Sequence, residues 1–111
     1  MSKQKTINQP FSIIGVGLHT GSKVKMTINP AADNHGFKFK RTDIEGQPII
    51  DADCDLVVDT SRGTTLEKNG VRVHTTEHIL AALAGLEIDN ALIELDGPEI
   101  PIMDGSAYLF I

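Results

Sequence analysis

The apolar residues of this chain change their period at Thr75, and that change limits the folds open to it. Before Thr75 they alternate with polar ones: Val24, Met26 and Ile28 stand two apart in the run from Ser22 to Asn29, and Phe37 and Phe39 alternate with Lys38 and Lys40. A period of two is that of a half-buried strand. Phe11 to Gly17 also suits a strand, with His19, Thr20 and Gly21 as the turn that follows it. Thr64 to Glu67 and Val71 to His74 flank Asn69-Gly70, a pair that tolerates positive φ and so favours a tight hairpin. After Thr75, the residues Ile79, Leu80, Leu83 and Leu86 follow helical spacing, and Thr75 is expected to cap that helix by accepting a hydrogen bond from an otherwise orphan amide. Asn90 to Leu95 returns to strand character, with Ala91, Ile93 and Leu95 on one face and Leu92 on the other, which predicts a central place in a sheet. Asp104, a good N-cap, then precedes the first turns of a second helix. The predicted class is α+β, a mostly antiparallel sheet packed against two helices. The apolar run stops at Ile111 without a C-cap glycine or polar tail, so the chain is expected to be cut within its last helix.

With 111 residues, 41% of them hydrophobic, the chain can build one core of ordinary size, and residues 1–111 are expected to form a single domain. Its formal net charge of −5 comes with acids and bases interspersed, so no basic face offers itself to nucleic acid. The stretch from Met1 to Pro10 is polar and lacks the apolar core of a signal peptide. The longest apolar run, Ile79 to Leu86, is too short to span a bilayer, and the single cysteine, Cys54, cannot form an internal disulfide. These features predict a cytoplasmic protein without stable membrane insertion, with Cys54 a small half-buried residue rather than a nucleophile.

The segment His74-Thr75-Thr76-Glu77-His78 holds the densest chemistry. With a helix opening at Thr75, Glu77 and His78 fall in its first turn. At roughly 100° per residue they point away from the Ile79, Leu83 and Leu86 face and share a side with the small residues Ala81 and Gly85. That arrangement suits His78 as a metal ligand and Glu77 as a general base for water. It equally suits a plain structural role, since the helix dipole favours a glutamate in a first turn and a lone histidine is commonly just solvated. The same five residues match the His-x-x-Glu-His pattern of an inverted-zincin peptidase, in which both histidines bind zinc from one helix. Val71, Val73 and the two threonines, the residues around Arg72 and His74, are poor helix formers, however, and place His74 at the end of a strand instead.

Other patterns lead nowhere. Gly15, Gly17 and Gly21 resemble a dinucleotide loop, but an alternating strand follows them rather than a helix. Asp51, Asp53 and Asp55 imitate the start of a calcium loop, yet Leu56 and Arg62 stand where its glycine and glutamate belong. His35, between Asn34 and Gly36, reads as a turn residue.

Four strings occur in order: Gly15-Val-Gly-Leu-His-Thr-Gly21, Thr75-Thr-Glu-His78, Gly85-Leu-Glu-Ile-Asp-Asn-Ala91 and Pro98-Glu-Ile-Pro-Ile-Met-Asp-Gly-Ser-Ala107. Together they resemble the first half of the UDP-3-O-acyl-N-acetylglucosamine deacetylase family of lipid A synthesis. The resemblance implies the first of two similar domains, each a sheet packed on helices, with a catalytic zinc in the cleft between them. It implies that His78 is a zinc ligand, that Glu77 takes a proton from the water attacking the acetamide, and that His19 borders the substrate, a UDP-linked acylated amino sugar. The remaining zinc ligands belong to the family's second half, so these 111 residues are expected to be inactive alone and to bind zinc weakly. Apolar surface near Phe110 and Ile111 would then meet the second half or drive self-association. A non-catalytic α+β binding module is the alternative for the chain taken alone.

Overall fold

The computed structural model of the chain describes residues 6–7, 9–17, 20–53, 56–59 and 64–101. Among these described residues eight strands and one helix follow in order: β1 Phe11–Val16, β2 Lys23–Pro30, β3 Phe37–Arg41, β4 Ile49–Asp51, β5 Val57–Asp59, β6 Thr65–Lys68, β7 Val71–Val73, α1 Glu77–Gly85 and β8 Ala91–Leu95. The fold is α+β, as predicted.

β8 lies in the middle of a five-stranded sheet of order β1-β2-β8-β3-β4, as the two apolar faces of Asn90 to Leu95 require. Its pairing with β2 is antiparallel and its pairing with β3 parallel. Parallel neighbours need a long crossover, and here the crossover carries the second sheet, β5-β6-β7, and the helix. Ile93 stands between Ile28 and Phe39 in register, and the alternation read from the sequence puts Val24, Met26 and Ile28 into the core together. Ile79 and Leu83 of α1 close that core from above, with Leu66 and Val73 of the small sheet beside them. Each such side chain contributes roughly 1.5–3 kcal/mol by leaving water.

The β6–β7 hairpin turns at Asn69 (φ 54°) and Gly70 (φ 81°), the two left-handed residues its sequence supplies. Arg41, buried at the end of β3, ties the two sheets together. It donates to the Arg72 carbonyl of β7 at 2.6 Å and grips the Asp43 carboxylate with two nitrogens at 2.7 and 2.8 Å.

The helix entrance corrects one expectation. Thr76, not Thr75, is the N-cap residue of α1, and neither hydroxyl caps it. Thr75 has a left-handed backbone (φ 61°), and its hydroxyl is spent on Glu99; the Thr76 hydroxyl donates to the Thr64 carbonyl at 3.2 Å. α1 ends with the amides of Glu87 and Ile88 donating to the carbonyls of Ala84 and Leu83, the paired pattern of a helix closed by a left-handed residue. That residue is Glu87, at φ 61°. Cys54 and the expected second helix from Asp104 lie outside the described residues.

Candidate active site

The first turn of α1 presents Glu77 and His78 beside one another. Glu77 is held on one side: its Oε1 accepts the amide of Thr64, the residue just before β6, at 2.9 Å. The Thr76 amide donates to the Thr64 carbonyl at 3.0 Å, so both backbone groups of Thr64 are engaged by the helix entrance. The other Glu77 oxygen, Oε2, lies 3.8 Å from Nε2 of His78. The side chain of His78 is 72% exposed and that of Glu77 37%. Ile79 and Leu83 are buried while Ala81, Ala84 and Gly85 are exposed, so the pair faces outward over small residues, as the helical phase requires.

This arrangement gives one imidazole nitrogen free to coordinate and one carboxylate oxygen free to take a proton, with the other oxygen anchored. A catalytic zinc takes three protein ligands and leaves one position open. Among the described residues no group of three or more His, Cys, Asp or Glu side chains is placed to hold a metal ion. The described residues therefore fit such an ion as a single ligand, His78, with Glu77 adjacent.

His74 is elsewhere. It precedes α1 and pairs with Glu99 in a single parallel bridge; its amide donates to the Pro98 carbonyl at 2.8 Å, and its Nδ1 shares a hydrogen bond with the Thr65 hydroxyl at 3.0 Å. Since His74 and His78 are not one turn apart on one helix, the inverted-zincin arrangement is not formed. His19, expected at the substrate, lies outside the described residues, although its neighbours Gly17 and Thr20 are described. His35 sits in the turn expected for it, with left-handed neighbours Asn34 and Gly36.

Sequence reading gave no role to Thr64 or Glu99, although both belong to the site's frame. Glu99 had a signal, being a lone acid between Pro98 and Ile100-Pro101 in a segment otherwise suited to burial. Thr64 had none, because its contribution is made by the backbone.

Comparison with known proteins adds the decisive observation: the family model of LpxC, UDP-3-O-acyl N-acetylglycosamine deacetylase, matches residues 4–111. The chain belongs to the LpxC family. It is 58% identical over all 111 residues to the bifunctional enzyme LpxC/FabZ of Bacteroides thetaiotaomicron, of which it covers 24%. It is 52% identical, again over its whole length, to the UDP-3-O-acyl-N-acetylglucosamine deacetylase of Methylococcus capsulatus, covering 36% of that protein. The Myxococcus xanthus deacetylase is 54% identical over 107 residues, 96% of the chain and 34% of the relative. The chain thus spans about a quarter to a third of the length of these LpxC relatives. No helix among the described residues is long and apolar enough to cross a membrane.

Proposed function

We propose that these residues form the first domain of a zinc-dependent deacetylase that hydrolyses the N-acetyl group of UDP-3-O-acyl-N-acetylglucosamine in the cytoplasm, as a step of lipid A synthesis. The observation that carries the reading is the outward-facing pair at the entrance of α1, with Glu77 anchored to Thr64 and His78 free beside it.

His78 would hold the zinc through a ring nitrogen, with further ligands from residues beyond the described ones. The ion, when bound, supplies Lewis-acid polarisation of the amide carbonyl and acidifies water near it. Glu77 takes a proton at Oε2 from the attacking water and returns it to the departing nitrogen, which gives the free amine and acetate. Anchoring of Oε1 by the Thr64 amide fixes the direction in which Oε2 points, so no carboxylate rotation has to be frozen as the reaction proceeds. His19, which falls between β1 and β2 in the sequence, would border the UDP-linked acylated sugar.

Acetate release from UDP-3-O-acyl-N-acetylglucosamine by the full-length enzyme tests this. Activity lost on chelation, restored by zinc and abolished by Glu77→Ala is expected. A Glu77→Ala enzyme with unchanged turnover removes Glu77 from the mechanism.

A further inference from the structure

Glu99 is fully buried, and a carboxylate taken out of water is costly unless hydrogen bonds satisfy it. Its two oxygens serve segments far apart in the chain. Oε1 accepts the Thr20 amide at 2.8 Å, and Oε2 accepts the Thr75 hydroxyl at 2.5 Å. Gly17 permits the approach, because a methyl group at that position would overlap Oε1 of Glu99. The backbone around Glu99 is fixed as well: the His74 amide donates to the Pro98 carbonyl and the Ile100 amide to the His74 carbonyl, so Glu99 runs directly beside the residue that precedes Thr75.

Thr75 is the other half of the observation. At φ 61° it holds a left-handed conformation that β-branched residues rarely adopt, and such a conformation persists only where its surroundings over-determine it. The next two residues are the N-cap Thr76 and Glu77, so the backbone at Thr75 sets the direction in which α1 and its first-turn side chains leave the sheet.

We propose that Glu99 is a positioning residue for the deacetylation: its carboxylate locks Thr75 in the left-handed conformation and thereby aims Glu77 and His78, while tying the turn after β1 to the same point. This rests on the function proposed above. Side-chain length matters, since aspartate is one methylene too short to reach both Thr20 and Thr75 from the same backbone. Glutamine keeps the length; its carbonyl can accept the Thr20 amide and its NH2 can donate to the Thr75 hydroxyl oxygen.

The test uses the full-length enzyme. Glu99→Asp is expected to lower kcat of the zinc-loaded enzyme about 100-fold through misplacement of Glu77, with KM unchanged, and Glu99→Gln to retain most of the activity. Thr75→Gly, introduced into Glu99→Asp, recovers part of the loss, because glycine takes positive φ without strain. A crystal structure of Glu99→Asp shows Thr75 at negative φ. Wild-type kcat in Glu99→Asp, or Thr75 still left-handed in that variant, overturns the proposal, as does a fall in kcat that vanishes once the rate is expressed per folded, zinc-loaded enzyme. Should Glu99→Asp not fold, Thr75→Val removes the hydroxyl and keeps the shape; it carries the same expected fall in kcat, and unchanged kcat there is equally fatal. Glu77→Ala assayed alongside separates the two levels. Full turnover in Glu77→Ala sinks the proposed function, whereas an inactive Glu77→Ala with a fully active Glu99→Asp sinks only the role of Glu99.

Discussion

Glu77 accepts a hydrogen bond at 2.9 Å from the backbone amide of Thr64, thirteen residues earlier in the chain. The intervening residues form the β6–β7 hairpin, so the tight turn at Asn69-Gly70 and the helix entrance together decide where one carboxylate oxygen is pinned. Among the ordinary side chains only proline at position 64 would remove this backbone donor, and the contact leaves the second oxygen available for chemistry.

Replacing Glu77 with glutamine separates anchoring from proton transfer. The glutamine carbonyl can still accept the Thr64 amide, but the side chain has no basic oxygen to take a proton. In the full-length enzyme, Glu77→Gln is expected to fold with unchanged Tm, to keep its metal, and to lose about 10²–10⁴ of kcat. Steady-state kinetics with metal analysis on the same sample checks this, and a loss of metal in step with activity would contradict it.

His78 offers the converse separation. With its side chain 72% exposed, His78→Ala removes almost no packing, so stability should stay within about 0.5 kcal/mol. Zinc content of the full-length enzyme should fall sharply and activity with it. Elemental analysis beside a urea titration gives both quantities; an intact metal content in the folded variant would unseat His78 as a ligand.

What could be read from the sequence was whatever periodicity or local turn chemistry decides. Val24, Met26 and Ile28 share the core face because a strand alternates, and Ile79 and Leu83 because a helix repeats. Asn69-Gly70 forms its hairpin because few other pairs accept two left-handed residues in succession. The outward phase of Glu77 and His78 followed from the same helical arithmetic. The capping of α1 was not legible, because the Thr75 hydroxyl is diverted to a carboxylate 24 residues away and no local rule anticipates that. The parallel pairing of β3 with β8 was hidden for a similar reason, as it depends on where a long crossover returns.

The 111-residue chain by itself is expected to bind zinc weakly and to release no acetate from the substrate. His74 shares its Nδ1 with Thr65, and the described residues place no set of three ligands around His78. One imidazole and a neighbouring carboxylate satisfy too few of zinc's positions for tight binding. Titration calorimetry with zinc and a coupled acetate assay are sufficient; stoichiometric tight zinc would show that the chain completes its own ligand set.

Acid should loosen the link between the two sheets before the core itself yields. The Arg41 guanidinium, hydrogen-bonded to Asp43, holds that carboxyl below its ordinary pKa. A carboxyl with a lowered folded-state pKa binds fewer protons folded than unfolded. Its contribution to stability is therefore complete above the unfolded value and is lost as pH falls through the folded one, below about pH 4. Protonation there leaves the buried Arg41 without its charged partner while it still donates to the Arg72 carbonyl. Asp43→Asn should cost about 2 kcal/mol near neutral pH and progressively less as the pH falls through the folded-state pKa, because the wild type then loses the same interaction. Urea unfolding of both proteins at neutral pH and across a series of acid pH values measures the difference, and a gap that narrows nowhere in that series while the wild type still folds would show that the Arg41–Asp43 pair contributes nothing through its charge.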